Sequence, residues 1–549
     1  MKTVVWGTGV RAREIVWQIG IESIDFFIDN NVRYDTFFEK PVVSPQEIIN
    51  WKELYIHIPS SYFKEIIPIL KKNGLVENVN YIENLGFIEP DYLYAEQILR
   101  YGIDRVTTLA KRTGVKKICN WGNFWNVEGW GVFYANLVNR YRDEIVVVIE
   151  SCSMTSKEIN DYIQADALSV PSIGYGKVKV RNLPDDALDE MIKAIQKDIP
   201  KKVLTELAES IYLRKPSIGK KSSLYNACAI YKFMVSMLEA FNFELMIING
   251  SDAPERMFLA QICQKRGIKF ICTHPSVLPG TISFDPGGDM GSSMPAVHYE
   301  AFRSLPVYDQ DKTKAIKVLD ELRNNRLNRY RQLRNEAIEI IKKKLIPGRP
   351  TVFCAAQCDD GACLIPYTEN SRTYHSPMFK SSIESAVFLA SICKRRNWNI
   401  IYKSHPLYAK FDRVDLLPNN VIYVDACDIN DIIDLSDVVT TIRSSTNYVA
   451  LIRQRPVLML GYTQTRGQGC TYEAFEREAV ELELEKALSE GFTQAQQEAF
   501  IEHVARLLKY YLYDDTLPRG LRYGLPMPDD FDSFFELGKR LSKMDDTRG

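Results

Sequence analysis

Short apolar runs, each closed by Gly, Asn, Asp or Ser and followed by a stretch of helical period, recur along this chain. Thr3–Trp6 and Ile24–Ile28 read as buried strands, separated by the turn Gly7-Thr8-Gly9 and a helix over Arg11–Gly20. Further strands are predicted at Lys117–Gly122, Glu144–Ile149, Leu245–Gly250 and Lys269–Cys272. A last series follows at Thr351–Cys354, Asn399–Lys403, Asn420–Val424, Asp437–Thr441 and Pro456–Leu460. Amphipathic periods place helices at Glu255–Arg266 and near 381–396, 428–435 and 445–454. Near-continuous apolar strands that alternate with helices predict parallel sheets covered on both faces, an α/β fold class.

The punctuation divides this pattern. Residues 1–95 form a small Rossmann-like unit, 96–345 a second α/β lobe, 346–492 a third, and 493–549 terminal helices with a Pro-rich tail that packs back on the lobes. Pro347-Gly348-Arg349-Pro350 marks the clearest boundary. From Lys312 to Lys344 the pattern reads as one basic helix, with eleven Lys or Arg against four acids. It is expected as a solvated linker between lobes, and its charge also suits peripheral contact with an anionic membrane surface.

Composition narrows the class. A chain of 549 residues with 46% hydrophobic and 25% charged residues is globular and multidomain rather than disordered. Lys plus Arg number 69 and Asp plus Glu 70, so no global charge recommends nucleic acid as a partner. No apolar run reaches the length of a membrane span, and the N-terminus lacks the pattern of a signal peptide. Eleven cysteines without a CxxC pair predict reduced thiols and a cytoplasmic location, at most peripheral to the inner face of the plasma membrane. Cys354, Cys358 and Cys363 match no metal-ligand spacing, and Asp530-Phe531-Asp532 in the tail reads as solvated surface. No metal site and no cofactor are predicted.

Four places carry candidate chemistry. At the N-terminus, strand, glycine turn, helix, strand and Asp29 follow the order of a nucleotide-binding βαβ unit. Gly7 and Gly9 let backbone approach a phosphate, but Arg13 stands about where a third glycine belongs. This stretch resembles the small N-terminal domains of bacterial sugar acetyltransferases and capsule proteins, which bind nucleotide-sugars. In the second lobe, Asn249-Gly250-Ser251 forms a strand-to-helix turn at the ligand edge of an open sheet.

The last lobe has three polar clusters, each after a predicted strand. Gln357-Cys358-Asp359-Asp360-Gly361 sets two carboxylates side by side, which raises one pKa and offers a general base, although Asp-Asp-Gly is also ordinary turn chemistry. Lys403-Ser404-His405-Pro406 offers an imidazole able to bind a phosphate and protonate it as it departs. Arg443-Ser444-Ser445-Thr446 puts hydroxyls and a cation at a helix start, which serves as an N-cap and as an anion site. Taken together at the carboxyl ends of successive strands, the three favour a ligand site.

These clusters, with Asn447 to Val457 following the last of them, resemble the capsule polysaccharide biosynthesis family. That family contains the Kdo transferases that build the capsule's lipid-linked base. Leu278-Pro279-Gly280-Thr281, continuing through Asp285 to Gly288, resembles its LPGT…D…G segment. One departure concerns the acceptor side: Thr273-His274-Pro275-Ser276 stands where the family often has an acidic residue. Bacterial sialyltransferases share the motif order, but the 45 residues between Asp360 and His405 are too few for them.

The resemblance implies a GT-B fold, two Rossmann-like lobes here preceded by the small N-terminal unit. It implies a metal-independent transferase moving Kdo or a related ulosonic acid from a CMP-linked donor to a glycan or lipid-linked glycan acceptor. Asp360 or Asp359 is then the base and His405 the phosphate ligand and acid. Ser444 and Ser445 form the phosphate cradle, with Gln357, Lys403, Pro406, Arg443 and Thr446 on the donor side. Asn249, Ser251, His274 and Asp285 fall on the acceptor side. Two other readings stay open: a CDP-glycerol or CDP-ribitol phosphotransferase of the teichoic-acid kind, and a non-catalytic nucleotide-sugar-binding subunit of a glycan assembly complex.

Overall fold

A computed structural model describes the chain apart from residues 84–112, 122–136, 151–165, 171–184, 329–336, 406–412 and 515–522, with shorter omissions at 9–11, 13, 14, 17, 18, 31, 33, 34, 59–62, 78, 215, 251–253, 360, 363, 426, 526, 527, 548 and 549. Gly9, Arg13, Ser251, Asp360 and Pro406 therefore lie outside the described residues. The fold is mixed α/β with three Rossmann-like sheets. Two compact units divide the chain: 1–127, 138–246 and 265–268 form one, and 128–137, 247–264 and 269–549 form the other.

In the first unit, β1 (Lys2–Trp6), β2 (Phe26–Ile28), β3 (Thr36–Phe37), β4 (Lys40–Val43), β5 (Leu54–Ile58) and β6 (Tyr81–Glu83) build a sheet of order β3-β4-β2-β1-β5-β6. β1 lies parallel to both β2 and β5. Side chains alternate across a pleated strand, so Val4 and Trp6 join one core while Val5 joins the other. Both faces are buried, which is why the run reads as continuously apolar. β7 (Lys116–Trp121), β8 (Ile145–Glu150) and β9 (Asp166–Val170) form another parallel run. The helices Lys201–Arg214 and Gly219–Phe241 pack against each other in the same unit.

Along the chain follow β10 (Leu245–Asn249), β11 (Lys269–Pro275) and β12 (Thr281–Asp285). In the second unit β11 and β12 pair antiparallel across the Leu278–Thr281 turn. The sheet that carries the three polar clusters comprises β13 (Thr351–Ala355), β14 (Asn399–Lys403), β15 (Val421–Val424), β16 (Val438–Thr441), β17 (Val457–Met459) and β18 (Tyr472–Glu473). All its pairings are parallel, in the order β15-β14-β13-β16-β17-β18. Numbered from its own first strand this is 3-2-1-4-5-6, the doubly wound order whose direction reverses between β13 and β16. Every residue of β13, β14 and β16 is buried. Phe353, Ile401 and Val439 face one core, and Val352, Ile400 and Val438 the other.

The helices of this sheet start where their capping residues say. Ser381 accepts the Glu384 N–H to open Ser382–Arg396, which ends on Lys394-Arg395-Arg396 and a left-handed Asn397. Asp428 opens Ile429–Leu435 by accepting the Asn430 N–H. Thr493 and Gln496 form a reciprocal capping box at Gln494–Tyr510.

Two expectations are corrected. The basic stretch 312–344 is not one helix: helices Asp309–Asn324 and Ala337–Lys344 are separated by non-helical 325–328, where Arg326 takes φ +50°. Nor is its charge simply solvated. Lys312 pairs with Glu502, and Arg326 with Asp428, Asp431 and Asp434. The tail also holds more than helices and loops, because Leu512–Asp514 forms β19, antiparallel to β12. Three residues are too few for periodicity to declare a strand; the open edge of β12 supplies the partner. In the tail DxD, Asp530 is exposed and Asp532 pairs with Lys269, but Phe531 between them is buried.

Candidate functional site

The carboxyl ends of β14, β13 and β16 are neighbours, so the three polar clusters emerge side by side where the sheet reverses direction. Side chains bolt this edge together. Thr440 and Thr441 donate their hydroxyls to Phe353 O and Ala355 O, at 3.2 and 3.1 Å, across the β13–β16 pair. Thr441 Oγ1 also accepts the Ser444 N–H, at 3.2 Å. Gln357 Oε1 accepts the Arg443 N–H at 2.9 Å, and Arg443 Nη1 donates to Ala362 O at 2.8 Å. Arg443 is thus directed at the loop after β13 and helps shape it. Asp359 is nearly buried: its two oxygens take the Ser382 N–H and hydroxyl, at 2.7 and 2.6 Å. That is the geometry of a helix cap rather than of a carboxylate waiting for a proton.

In front of this scaffold lies a cleft with an empty volume of about 720 Å³, open solvent included. Lys403, Ser404, His405, Ser444, Ser445 and Thr446 all line it, with Ala355 and Ala356 behind them. The turn between β11 and β12 contributes Val277 and Pro279, and the linker contributes Leu327 and Asn328. Ile429, Val449 and Ile452 complete an apolar stretch of wall. Sequence reasoning singled out none of these last three, although Val449 and Ile452 fall within the stretch Asn447 to Val457 that carries the family resemblance, as Pro279 falls within the LPGT segment.

The polar wall is electrostatically uneven. Lys403 is 5% exposed, and among the described residues its ammonium donates to Ser404 O, at 3.4 Å. Burial pushes its pKa below the ordinary lysine value, opposed by Cys427, Asp425 and Asp428 nearby. A desolvated cation that makes no ion pair among the described residues is costly, and an anion in the cleft would offset that cost. Ser444 Oγ accepts the Thr446 N–H at 3.3 Å and bonds the Thr446 hydroxyl at 3.0 Å, so it caps the helix Thr446–Ile452. Ser445 makes no such cap bond.

The remaining sequence-predicted residues lie elsewhere. Asp285 is 1% exposed and absent from this cleft's wall; its carboxylate accepts the N–H groups of Gly287, Gly288 and Met294. Desolvation outweighs those bonds and pushes its pKa up to about 6. Only glycine fits at 287, since a Cβ there would come within 2.9 Å of Ser292 O. His274 Nε2 is 3.1 Å from Asp289 Oδ2, while Asn249 is buried at the end of β10. In the first unit Asp29 closes the glycine turn, accepting the Thr8 N–H and hydroxyl at 2.9 and 2.6 Å, and Gly7 takes φ +123°. Among the described residues no cluster of three or more His, Cys, Asp or Glu could hold a metal ion. Burial raises the Cys354 thiol to about 12, so it is unreactive. No described helix is long and apolar enough to cross a membrane.

Doubly wound order with polar loops at the reversal point is the arrangement that places a ligand site at the carboxyl edge of an open α/β sheet. Over residues 363–505, covering the β14 and β16 clusters, the chain matches the family model described as capsule polysaccharide biosynthesis protein. No curated protein matches the chain. Solved structures similar to it include the beta Kdo 2,7 transferase of Thermosulfurimonas dismutans KpsC, at 15% identity and TM-score 0.33 over 58% of this chain and 90% of that one. The beta Kdo 2,4 transferase of the same KpsC is similar at 15% identity and TM-score 0.35, over 50% and 82%. Anabaena Alr3699/HepE in complex with UDP-glucose is similar at 10% identity and TM-score 0.27, over 79% and 99%.

Proposed function

We propose that this protein is a GT-B glycosyltransferase that takes Kdo or a related ulosonic acid from a CMP-activated donor and passes it to a surface-glycan acceptor. One observation carries the reading: Lys403, His405, Ser444, Ser445 and Thr446, from the ends of β14 and β16 on either side of β13, line a single cleft with Pro279 of the LPGT turn. In transfer, the bond from the anomeric carbon to phosphate oxygen breaks, and the acceptor oxygen bonds to that carbon. The departing monophosphate gains negative charge. The Lys403 ammonium and the Ser444 and Ser445 hydroxyls stabilise that charge more strongly than the ground state, which is what lowers a barrier. His405 donates a proton to the leaving phosphate, and the acceptor hydroxyl loses its own to Asp360. Asp360 takes this role because Asp359 is spent on Ser382. The capsule-type match over residues 363–505 supports the donor side of this reading.

The test is CMP release from CMP-Kdo in the presence of a glycan acceptor. His405→Ala should slow it about 100-fold or more with the fold intact. Glycerophosphate transfer from CDP-glycerol would favour the phosphotransferase. Unaltered transfer by His405→Ala would remove the catalytic assignment and favour a binding subunit.

A further inference from the structure

One wall of the cleft is held from the far end of the chain. Val277 and Pro279 line it from the turn between β11 and β12. Within that turn Leu278 O accepts both the N–H and the hydroxyl of Thr281, at 3.2 and 2.7 Å, and the Ser276 N–H reaches Thr281 O at 2.9 Å. Pro279 takes no part in these bonds. Proline has no N–H, so its carbonyl is the one backbone group by which it can be tied down.

The tie comes from the tail. The Tyr523 hydroxyl donates to Pro279 O at 2.5 Å, and Tyr523 is 6% exposed. Its place follows from β19. Asp514, the last residue of that strand, pairs in register with Thr281 at the end of the same turn. The two oxygens of the Asp514 carboxylate accept the N–H groups of Tyr523 and Leu525, at 2.8 and 2.9 Å. Such charge-assisted bonds are among the stronger ones a backbone makes. The tail thus passes the turn at Asp514 and is brought back to it at Tyr523. Val277, Leu278, Tyr523 and Leu525 share one hydrophobic core, so packing holds the ring and the hydroxyl is left to hold the turn.

We infer that Tyr523 is a positioning residue for transfer: through Pro279 O it sets the turn's place in the cleft that Lys403, His405, Ser444 and Ser445 also line. This rests on the transferase reading above and deepens it. The Tyr523 hydroxyl is spent on a carbonyl and acts through alignment. The acceptor oxygen must meet the anomeric carbon as the phosphate departs, and a shift of about 1 Å in such a site can cost about 100-fold in rate. Nucleotide binding uses the loops after β14 and β16, which the Tyr523 bond does not involve.

The experiment compares the full-length wild type, Tyr523→Phe and Asp545→Asn. It measures CMP affinity by calorimetry, melting temperature, and turnover of CMP-Kdo with a glycan acceptor, with transferred and hydrolysed Kdo scored separately. Tyr523→Phe keeps the packed ring and deletes the bond. It should slow transfer about tenfold or more and raise the hydrolysed share, because water competes with a misaligned acceptor. CMP affinity should match the wild type and the melting temperature should stay within a few degrees of it. Asp545→Asn loosens the same tail elsewhere, where His298 Nδ1 lies 2.5 Å from Asp545 Oδ2, and should leave transfer and the hydrolysed share unchanged. Wild-type transfer by Tyr523→Phe overturns the inference. So does a loss that comes with weaker CMP binding or a larger fall in melting temperature, or that Asp545→Asn reproduces, since each marks general loosening. Absence of CMP-Kdo turnover in the wild type would instead end the transferase reading, and the inference with it.

Discussion

Thr441 shows how much one side chain can organise. Its hydroxyl donates to Ala355 O and accepts the Ser444 N–H, so it joins the β13 end to the loop bearing the cradle. Thr441→Val keeps the shape and deletes both bonds. It should cost about 1–3 kcal/mol in a urea melt and weaken CMP binding, because Ser444 loses its anchor. A variant that melts like the wild type and binds CMP equally well would show that the loop is held by other means. At this scale the sequence was only partly readable. Asp359 stood out as one of an acidic pair, but its partner Ser382 lies 23 residues away, and only folding shows the carboxylate committed to a helix start. Asn328 was likewise not singled out, because only folding brings this stretch into the wall of the cleft.

Elements were more legible. Continuous apolar runs such as Thr351–Ala355 and Asn399–Lys403 are strands because each is buried on both faces, and burial of that kind leaves its mark in composition. The break at 325–328 is marked more weakly, by Asn324, Asn325 and Asn328 in an otherwise helical pattern, and Arg326 leaves the helix where three carboxylates await it. The helix Gln494–Tyr510 carries a prediction of its own. His503 is fully buried, with Nε2 2.8 Å from the Tyr448 hydroxyl, and burial, aided by the Arg506 charge, pushes its pKa down to about 3. The unfolded chain binds a proton at this histidine below about pH 6.5 and the folded chain does not. Its stabilising contribution is therefore complete above that pH and lost as the pH falls toward 3. The slope is about 1.4 kcal/mol per pH unit. Relative to His503→Gln, the wild type should lose stability at that rate between pH 6 and 4. Asp285, raised to about 6, contributes in the opposite direction in both proteins and cancels from the comparison. Parallel pH profiles would contradict the buried neutral imidazole.

For the whole molecule, the question is which unit answers to which nucleotide. CMP and CDP should raise the melting temperature through the cleft of the second unit, in proportion to RT ln(1 + [L]/Kd). Lys403→Met should abolish that shift, because it removes the cleft's buried cation. A rise with UDP or NAD alone, insensitive to Lys403→Met, would move the nucleotide site to the N-terminal sheet. There Asp29 holds the Gly7-Thr8 turn through the Thr8 N–H and hydroxyl.

By itself the amino-acid order determined the α/β class, most strands and the three polar clusters at strand ends. All of these depend on local periodicity or on neighbours a few residues apart. Tertiary structure alone decided the strand order that makes β14, β13 and β16 adjacent, the entry of Pro279 and Asn328 into one wall, the capping duty of Asp359 and the pairing of β19 with β12. Each of these depends on packing between segments far apart in the chain, and no short window of sequence encodes which distant surface a residue will meet.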